Sequence, residues 1–147
     1  MKLVDTDETV VLVTGTSLRS EEADRPLAYW IKQEVDRRGA GHAYRRAVVV
    51  GDRWYLENGV FQLNPTIAIG GPGVNGVSAE FTESLPMAWS RDERVFVQAD
   101  FTGDLRRAAL WGADAEATTL AVEHFLQGGL LEDLLGRIWR FRSEMYV

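Results

Sequence analysis

The chain has 147 residues, 46% of them hydrophobic, a formal net charge of −6 and no cysteine. That length and apolar content predict one domain with a packed core. The acidic balance argues against binding to nucleic acid or to an anionic membrane surface, because both need a basic face. The missing cysteines exclude disulfides, thiol nucleophiles and thiolate metal sites. With no apolar run of signal-peptide or membrane-span length, we expect a cytoplasmic protein.

Strand-like and helix-like patterns alternate along the chain. β-Branched apolar runs predict strands, and apolar residues three and four apart predict helices. Strands are predicted over residues 9–13, 46–50, 66–69, 95–99 and 107–111, and helices over residues 21–38, 74–84, 115–127 and 130–141. Residues 87–99 form either a hairpin or one strand entered by a loop, and residues 53–64 are ambiguous. The alternation predicts a three-layer α/β sandwich with a mostly parallel sheet, flavodoxin- or Rossmann-like.

Three small, polar, glycine-bearing loops follow predicted strands, at residues 14–20, 70–75 and 112–114. In such a sheet, ligands bind outside the carboxyl ends of the strands, so the loops predict one shared crevice. Arg19 would supply positive charge there, and hydroxyls and backbone N–H groups would supply further donors. The predicted ligand-binding residues are Thr14, Thr16, Ser17, Arg19, Gly71, Gly73, Asn75 and Asp114.

The second of these loops contains a G-x-G-x-x-G pattern, Gly71-Pro72-Gly73-Val74-Asn75-Gly76. In dinucleotide-binding folds this spacing brings backbone close to a pyrophosphate. Pro72, however, removes one backbone donor from the loop, and the acid expected about 20 residues later is only loosely matched. We therefore favour a tight turn from strand to helix, with Asn75 capping the helix or bonding locally.

No catalytic residue and no metal site is assigned from the sequence. His42 lies in a glycine-rich connection, so we expect it to be a solvated loop residue. His124 lies at the edge of an apolar stripe, so we expect it at the edge of the core. Asp52, Asp100 and Asp114 follow strands and could together hold Mg²⁺. Turn formation by Asp52 and helix capping by Asp114 are the favoured interpretations.

The predicted C-terminal helix is strongly amphipathic, with leucines, Ile138 and Trp139 on one face. Such a face usually packs against the core, and we favour that role. An exposed part of it, including Trp139, Phe141 and Tyr146, would form a homo-oligomer interface, because aromatic residues dominate interface hot spots. The aromatic segments 53–55 and 87–89 could extend that surface.

The first loop, with Ser17, Arg19, Arg25, Leu27 and Ala28, resembles the opening of flavodoxin-like NADPH-dependent FMN reductases. The resemblance implies a flavodoxin-like fold and an FMN phosphate held by Ser17 and Arg19. This chain carries Glu21-Glu22 where the family carries a Gly-Ser turn.

Two segments of the latter half, 67–75 and 110–118, are similar to α/β modules of archaeal surface-layer proteins, which carry a strand–Gly-Gly-Pro–Asn turn and a later Gly–acid–Thr helix start. In that setting such residues are structural or binding elements. We therefore expect a ligand- or partner-binding domain without demonstrable catalysis. The alternative is a flavin- or nicotinamide-dependent oxidoreductase with FMN or NAD(P) in the same crevice; the cofactor stays open.

Overall fold

A computed structural model describes the backbone of residues 4–145 and the side chains of residues 4–139. Its strands are β1 (Val10–Thr14), β2 (Ala47–Gly51), β3 (Thr66–Ile69), β4 (Met87–Arg91), β5 (Val95–Asp100) and β6 (Arg107–Gly112). Its helices are α1 (Leu18–Ala23), α2 (Arg25–Arg38), α3 (Asp52–Glu57), α4 (Gly76–Ser84), α5 (Ala115–Gln127) and α6 (Leu130–Met145), with a short 3-10 helix at Gly59–Leu63.

The six strands form one sheet in the order β2-β1-β3-β6-β5-β4. The pairs β1–β2, β1–β3 and β3–β6 are parallel, whereas β5 runs antiparallel to both β6 and β4. The predicted α/β fold with a mostly parallel sheet is confirmed. Because β2 and β3 lie on opposite sides of β1, the strand order reverses between β1 and β3, and their carboxyl ends open a crevice there.

Both faces of the sheet are covered. The strand β1 is buried along its whole length, and its side chains alternate between two apolar clusters. One face packs against α2, α5 and α6, and the other packs against Tyr55 of α3 and Val77 and Phe81 of α4. This arrangement is the predicted three-layer sandwich, with the larger core on the α2, α5 and α6 side.

The apolar face of α6 belongs to that larger core. Leu131, Leu134, Ile138 and Trp139 are all buried, so core packing, the favoured interpretation of this helix, is confirmed for the described part. Phe141 and Tyr146 lie outside the described side chains, and self-association through the helix stays a prediction. No helix within residues 4–145 is long and apolar enough to cross a membrane.

The predicted helix over residues 21–38 is two helices, α1 and α2, which meet at Asp24. The cause is Pro26, the second residue of α2, because a proline has no N–H to continue the α1 ladder and its ring clashes with the preceding turn. The ambiguous segment 53–64 is α3 followed by the 3-10 helix, and residues 87–99 form the hairpin β4–β5.

Candidate functional site

A cavity of about 320 Å³ opens at the carboxyl ends of the parallel strands. It is lined by Arg19, Ser20, Ala23 and Asp24 from α1 and the α1–α2 junction, by residues 71–74 after β3, and by residues 111–115 and 118 around the start of α5. The structure thus brings the three loops predicted from the sequence to one place, on the α5 side of the strand-order reversal.

The loop after β3 turns sharply at Gly70, whose φ of 108° is in the region that favours glycine. A Cβ at Gly70 would lie 2.6 Å from an Asp24 carboxylate oxygen, so any larger residue there would displace that carboxylate. The Gly70 N–H donates to the Leu110 carbonyl. The next N–H in this parallel pairing would come from Pro72, which has none, so the pairing with β6 ends there. The N–H groups of Gly71 and Gly73 donate to no residue in the described part of the chain.

Asn75 follows the cavity-lining residue Val74 but does not line the cavity itself, and its side chain is fully engaged in the fold. Its Oδ1 accepts from the N–H groups of Val77 (2.9 Å) and Ser78 (3.2 Å), which caps α4. Its Nδ2 donates to the carbonyls of Val13 and Ile69, both at 3.0 Å, which ties together the ends of β1 and β3. The local bonding and capping role favoured for Asn75 is confirmed.

Replacing Asn75 with alanine should therefore lower the free energy of unfolding by roughly 2 kcal/mol, because it removes a helix cap and leaves buried carbonyls without donors. Urea unfolding of the ligand-free protein measures this loss. Asn58→Ala is the matched control, since Asn58 makes one exposed hydrogen bond, to Trp54. Equal stability of the two variants would contradict the structural role of Asn75.

The other predicted residues of the first loop do not line the cavity. Thr14 is fully buried at the end of β1, and its Oγ1 has no hydrogen-bond partner in the described part of the chain. Thr16 donates to Asp52 at 3.3 Å, and Ser17 caps α1 by accepting from Ser20 N–H at 3.2 Å. From this loop, Arg19 alone of the predicted set reaches the cavity wall.

Asp114 lies at the mouth of the cavity and caps α5, as predicted. One carboxylate oxygen accepts from Ala117 N–H at 2.9 Å, and the other accepts from Arg94 at 2.6 Å. The pKa of Asp114 lies below its usual value, first because of the Ala117 N–H and then because of Arg94. The N–H groups of Ala115 and Glu116 donate to no described residue, so the positive end of α5 is left open beside the cavity.

Asp24 is the residue that the sequence did not single out. It is 6% exposed, lines the cavity, and accepts no hydrogen bond from any described residue. It occupies the capping position of α2 without capping the helix. Burial raises the pKa of Asp24 to about 6, and the nearby positive charge of Arg19 only partly opposes that effect. The carboxylate oxygens of Asp24 are not fully enclosed and reach the cavity, so water or a ligand in the cavity supplies their hydrogen-bond donors.

The remaining candidates lie elsewhere. Asp52 accepts from Gly76 N–H at 2.8 Å and tethers α4, while Asp100 ends the antiparallel strand β5 and lies at the opposite edge of the sheet. The three aspartates considered for Mg²⁺ therefore do not converge. His124 stacks on Trp89 at 3.9 Å between ring centroids, and His42 is exposed. Among the described residues no group of three or more His, Asp or Glu could hold a metal ion.

No family model matches this sequence, and no curated protein matches it. The function is therefore argued from the geometry of the cavity.

Proposed function

We propose that this chain is a ligand-binding domain of the flavodoxin- or Rossmann-like kind, acting in the cytoplasm, and that the ligand is a small molecule with an anionic group. The observation that carries the proposal is one cavity that holds the Arg19 side chain and the unpaired N–H groups of Gly71 and Gly73 beside the Asp24 carboxylate, which accepts no hydrogen bond from the described residues. Groups that destabilise the free protein are characteristic of functional sites.

The position of the cavity supports this function. Parallel α/β sheets bind ligands at the carboxyl edge beside a reversal of strand order, and the cavity occupies that place. The anionic group would be held by Arg19, by the N–H groups of Gly71 and Gly73, and by the first turn of α5. Unpaired amides and a helix N-terminus both attract negative charge.

The size of the cavity limits the ligand. Its volume of about 320 Å³ is at the low end of ligand pockets, which commonly measure ~300–1,000 Å³. A mononucleotide fragment or a smaller molecule fits this space better than a whole dinucleotide does.

An oxidoreductase that uses FMN or a nicotinamide cofactor is the second candidate. It is favoured by the indole of Trp111, which lines the cavity and stacks on Phe96 at 4.3 Å between ring centroids, because flat cofactor rings pack well on aromatic walls. In this case the purified protein should be yellow or should acquire flavin absorbance on incubation with FMN. A protein that stays colourless excludes the flavin form.

The melting temperature in the presence of FMN, NADH, NADPH, ATP or phosphate tests the binding function. A ligand at a hundredfold excess over its dissociation constant should stabilise the fold by about 2.7 kcal/mol. Arg19→Ala should lose that shift. Arg25→Ala is the control, because Arg25 is the first residue of α2, does not line the cavity and pairs with Glu21. A shift that persists in Arg19→Ala would place the ligand elsewhere.

A further inference from the structure

We infer that the ligand is a small zwitterion, with a protonated amine that pairs with the Asp24 carboxylate and an anionic group that lies against Arg19 and the amides of Gly71, Gly73 and Ala115. This inference rests on the proposed function and adds the chemical class of the ligand. The anion could be a carboxylate, a phosphate or a sulfonate, since the same donors suit all three.

The requirement for an amine comes from Asp24. Asp24 lines the cavity, its carboxylate lies beside Gly70, and the residue as a whole is more than nine-tenths buried. No described residue donates to it, and its oxygens reach the cavity, so a ligand there can supply the donor in place of water. A cationic N–H group would both form charge-assisted hydrogen bonds with this carboxylate and neutralise it.

The requirement for an anion comes from the other walls. Arg19 extends from α1 with an exposed side chain, the N–H groups of Gly71 and Gly73 have no described partner, and α5 begins at Ala115. These donors come from three separate elements around one cavity. None of them donates to Asp24, so they are free to bind the anionic group of a ligand.

The charge balance of the cavity fits a zwitterion. The charged groups that line it are Arg19 from α1, Asp24 from the α1–α2 junction and Asp114 before α5. Asp114 pairs with Arg94 at 2.6 Å, and the loop after β3 and the end of β6 contribute no charge to the lining. One positive and one negative charge remain. An anion without an amine would meet the negative charge of Asp24 as well as the positive charge of Arg19.

The proposal predicts a definite pH dependence. The amine needs ionised Asp24, whose pKa is about 6, so affinity for a zwitterion should fall as pH drops through that value. An anion without an amine should bind more tightly over the same range, because protonation removes the repelling charge. Asp114 stays ionised throughout, since its pKa is lowered. His42 and His124 do not line the cavity.

Matched pairs of probes test this inference, because the members of each pair differ only in the amine. The pairs are taurine with ethanesulfonate, O-phosphoethanolamine with ethyl phosphate, and L-alanine with propionate, titrated calorimetrically into the full chain. At about pH 7.5 we expect the amine member of at least one pair to bind at least about tenfold more tightly, and the best pair identifies the anion. For taurine, whose sulfonate stays ionised, affinity should fall about tenfold between about pH 7.5 and about pH 5.

Asp24→Asn should remove the advantage of the amine, while Asp104→Asn, an exposed aspartate far from the cavity lining, should retain it. The inference would be overturned if the probes without an amine bound as tightly as their partners or more tightly, and if their binding grew tighter at low pH. The proposed function would then remain intact. Binding of the nucleotides or phosphate, with no binding of any amine probe, would likewise overturn the inference alone. If no probe of either panel binds, the proposed function itself fails.

Discussion

Replacing Arg45 with methionine should lower the free energy of unfolding by about 3–5 kcal/mol, the cost of breaking a buried ion pair from one side. Arg45 Nε lies 3.2 Å from a Glu8 carboxylate oxygen, and each side chain is 10% exposed. The guanidinium also donates to the Trp139 carbonyl at 2.9 Å and lies 5.6 Å from the centre of the Trp139 ring. Without it, Glu8 would be left as a buried charge with its main cation removed.

This cluster also holds α6 onto the domain, since Trp139 Nε1 donates to the Glu8 carbonyl at 2.9 Å. Urea unfolding followed by tryptophan fluorescence measures the loss. Arg25→Ala is the control, because its pair with Glu21 is exposed and such pairs contribute only ~0–1 kcal/mol. The double variant Glu8→Gln/Arg45→Met should recover part of the loss, since it leaves no lone charge. An Arg45→Met protein as stable as the control would show that the buried pair of Arg45 and Glu8 does not stabilise the fold.

Replacing Asp24 with asparagine should have the opposite effect and stabilise the ligand-free protein at neutral pH by about 1–3 kcal/mol, the upper figure being the full pKa shift and the lower one allowing for solvent at the carboxylate. The pKa of Asp24 rises on folding from 3.8 to about 6, because burial disfavours the charged form. The folded state therefore holds the proton more tightly than the unfolded state does. The stability that protonated Asp24 contributes is complete below the pKa of the unfolded state and is lost as pH rises through the pKa of the folded state.

The stabilisation by Asp24→Asn should accordingly be small below about pH 4, grow up to about pH 6, and stay constant above it. Denaturation of both proteins across this range measures the difference, with Asp104→Asn as the matched control. A variant that is less stable than the wild type at every pH would show that the carboxylate has a structural partner. The predicted outcome would show that Asp24 weakens the free fold, as residues retained for binding commonly do.

Much of the fold could be predicted from the sequence because local signals agree with the tertiary structure. Continuous β-branched runs mark the strands buried on both faces, such as Val10–Thr14. Asp114 followed by an apolar stripe marks the start of α5. The strand order could not be predicted, because the insertion of β6 between β3 and β5 is set by packing between residues far apart in sequence.

The place of the site in the fold could be predicted from the sequence, but only some of the residues that line it could. The loops after β1, β3 and β6 are predictable, since parallel strands place their carboxyl ends at one edge. Asp24 does not stand out in the sequence, because the pattern of residues 21–38 predicts one continuous helix. On such a helix Asp24 would be one of several acidic residues at the surface. Pro26 two residues later is the available signal for a break. The local bonding of Asn75 is predictable, but no sequence pattern reveals which two carbonyls its Nδ2 reaches.

Amide chemical shifts of the isotopically labelled protein, recorded as the tightest ligand of the two probe panels is added, test the assignment of the cavity most directly. We predict that the perturbed amides cluster at Arg19 to Asp24, Gly71 to Val74 and Gly112 to Thr118, with those of Gly71, Gly73 and Ala115 moving most. Perturbations centred on another surface, such as the exposed aromatic segment around Trp54, would contradict a ligand site at the carboxyl edge of the sheet.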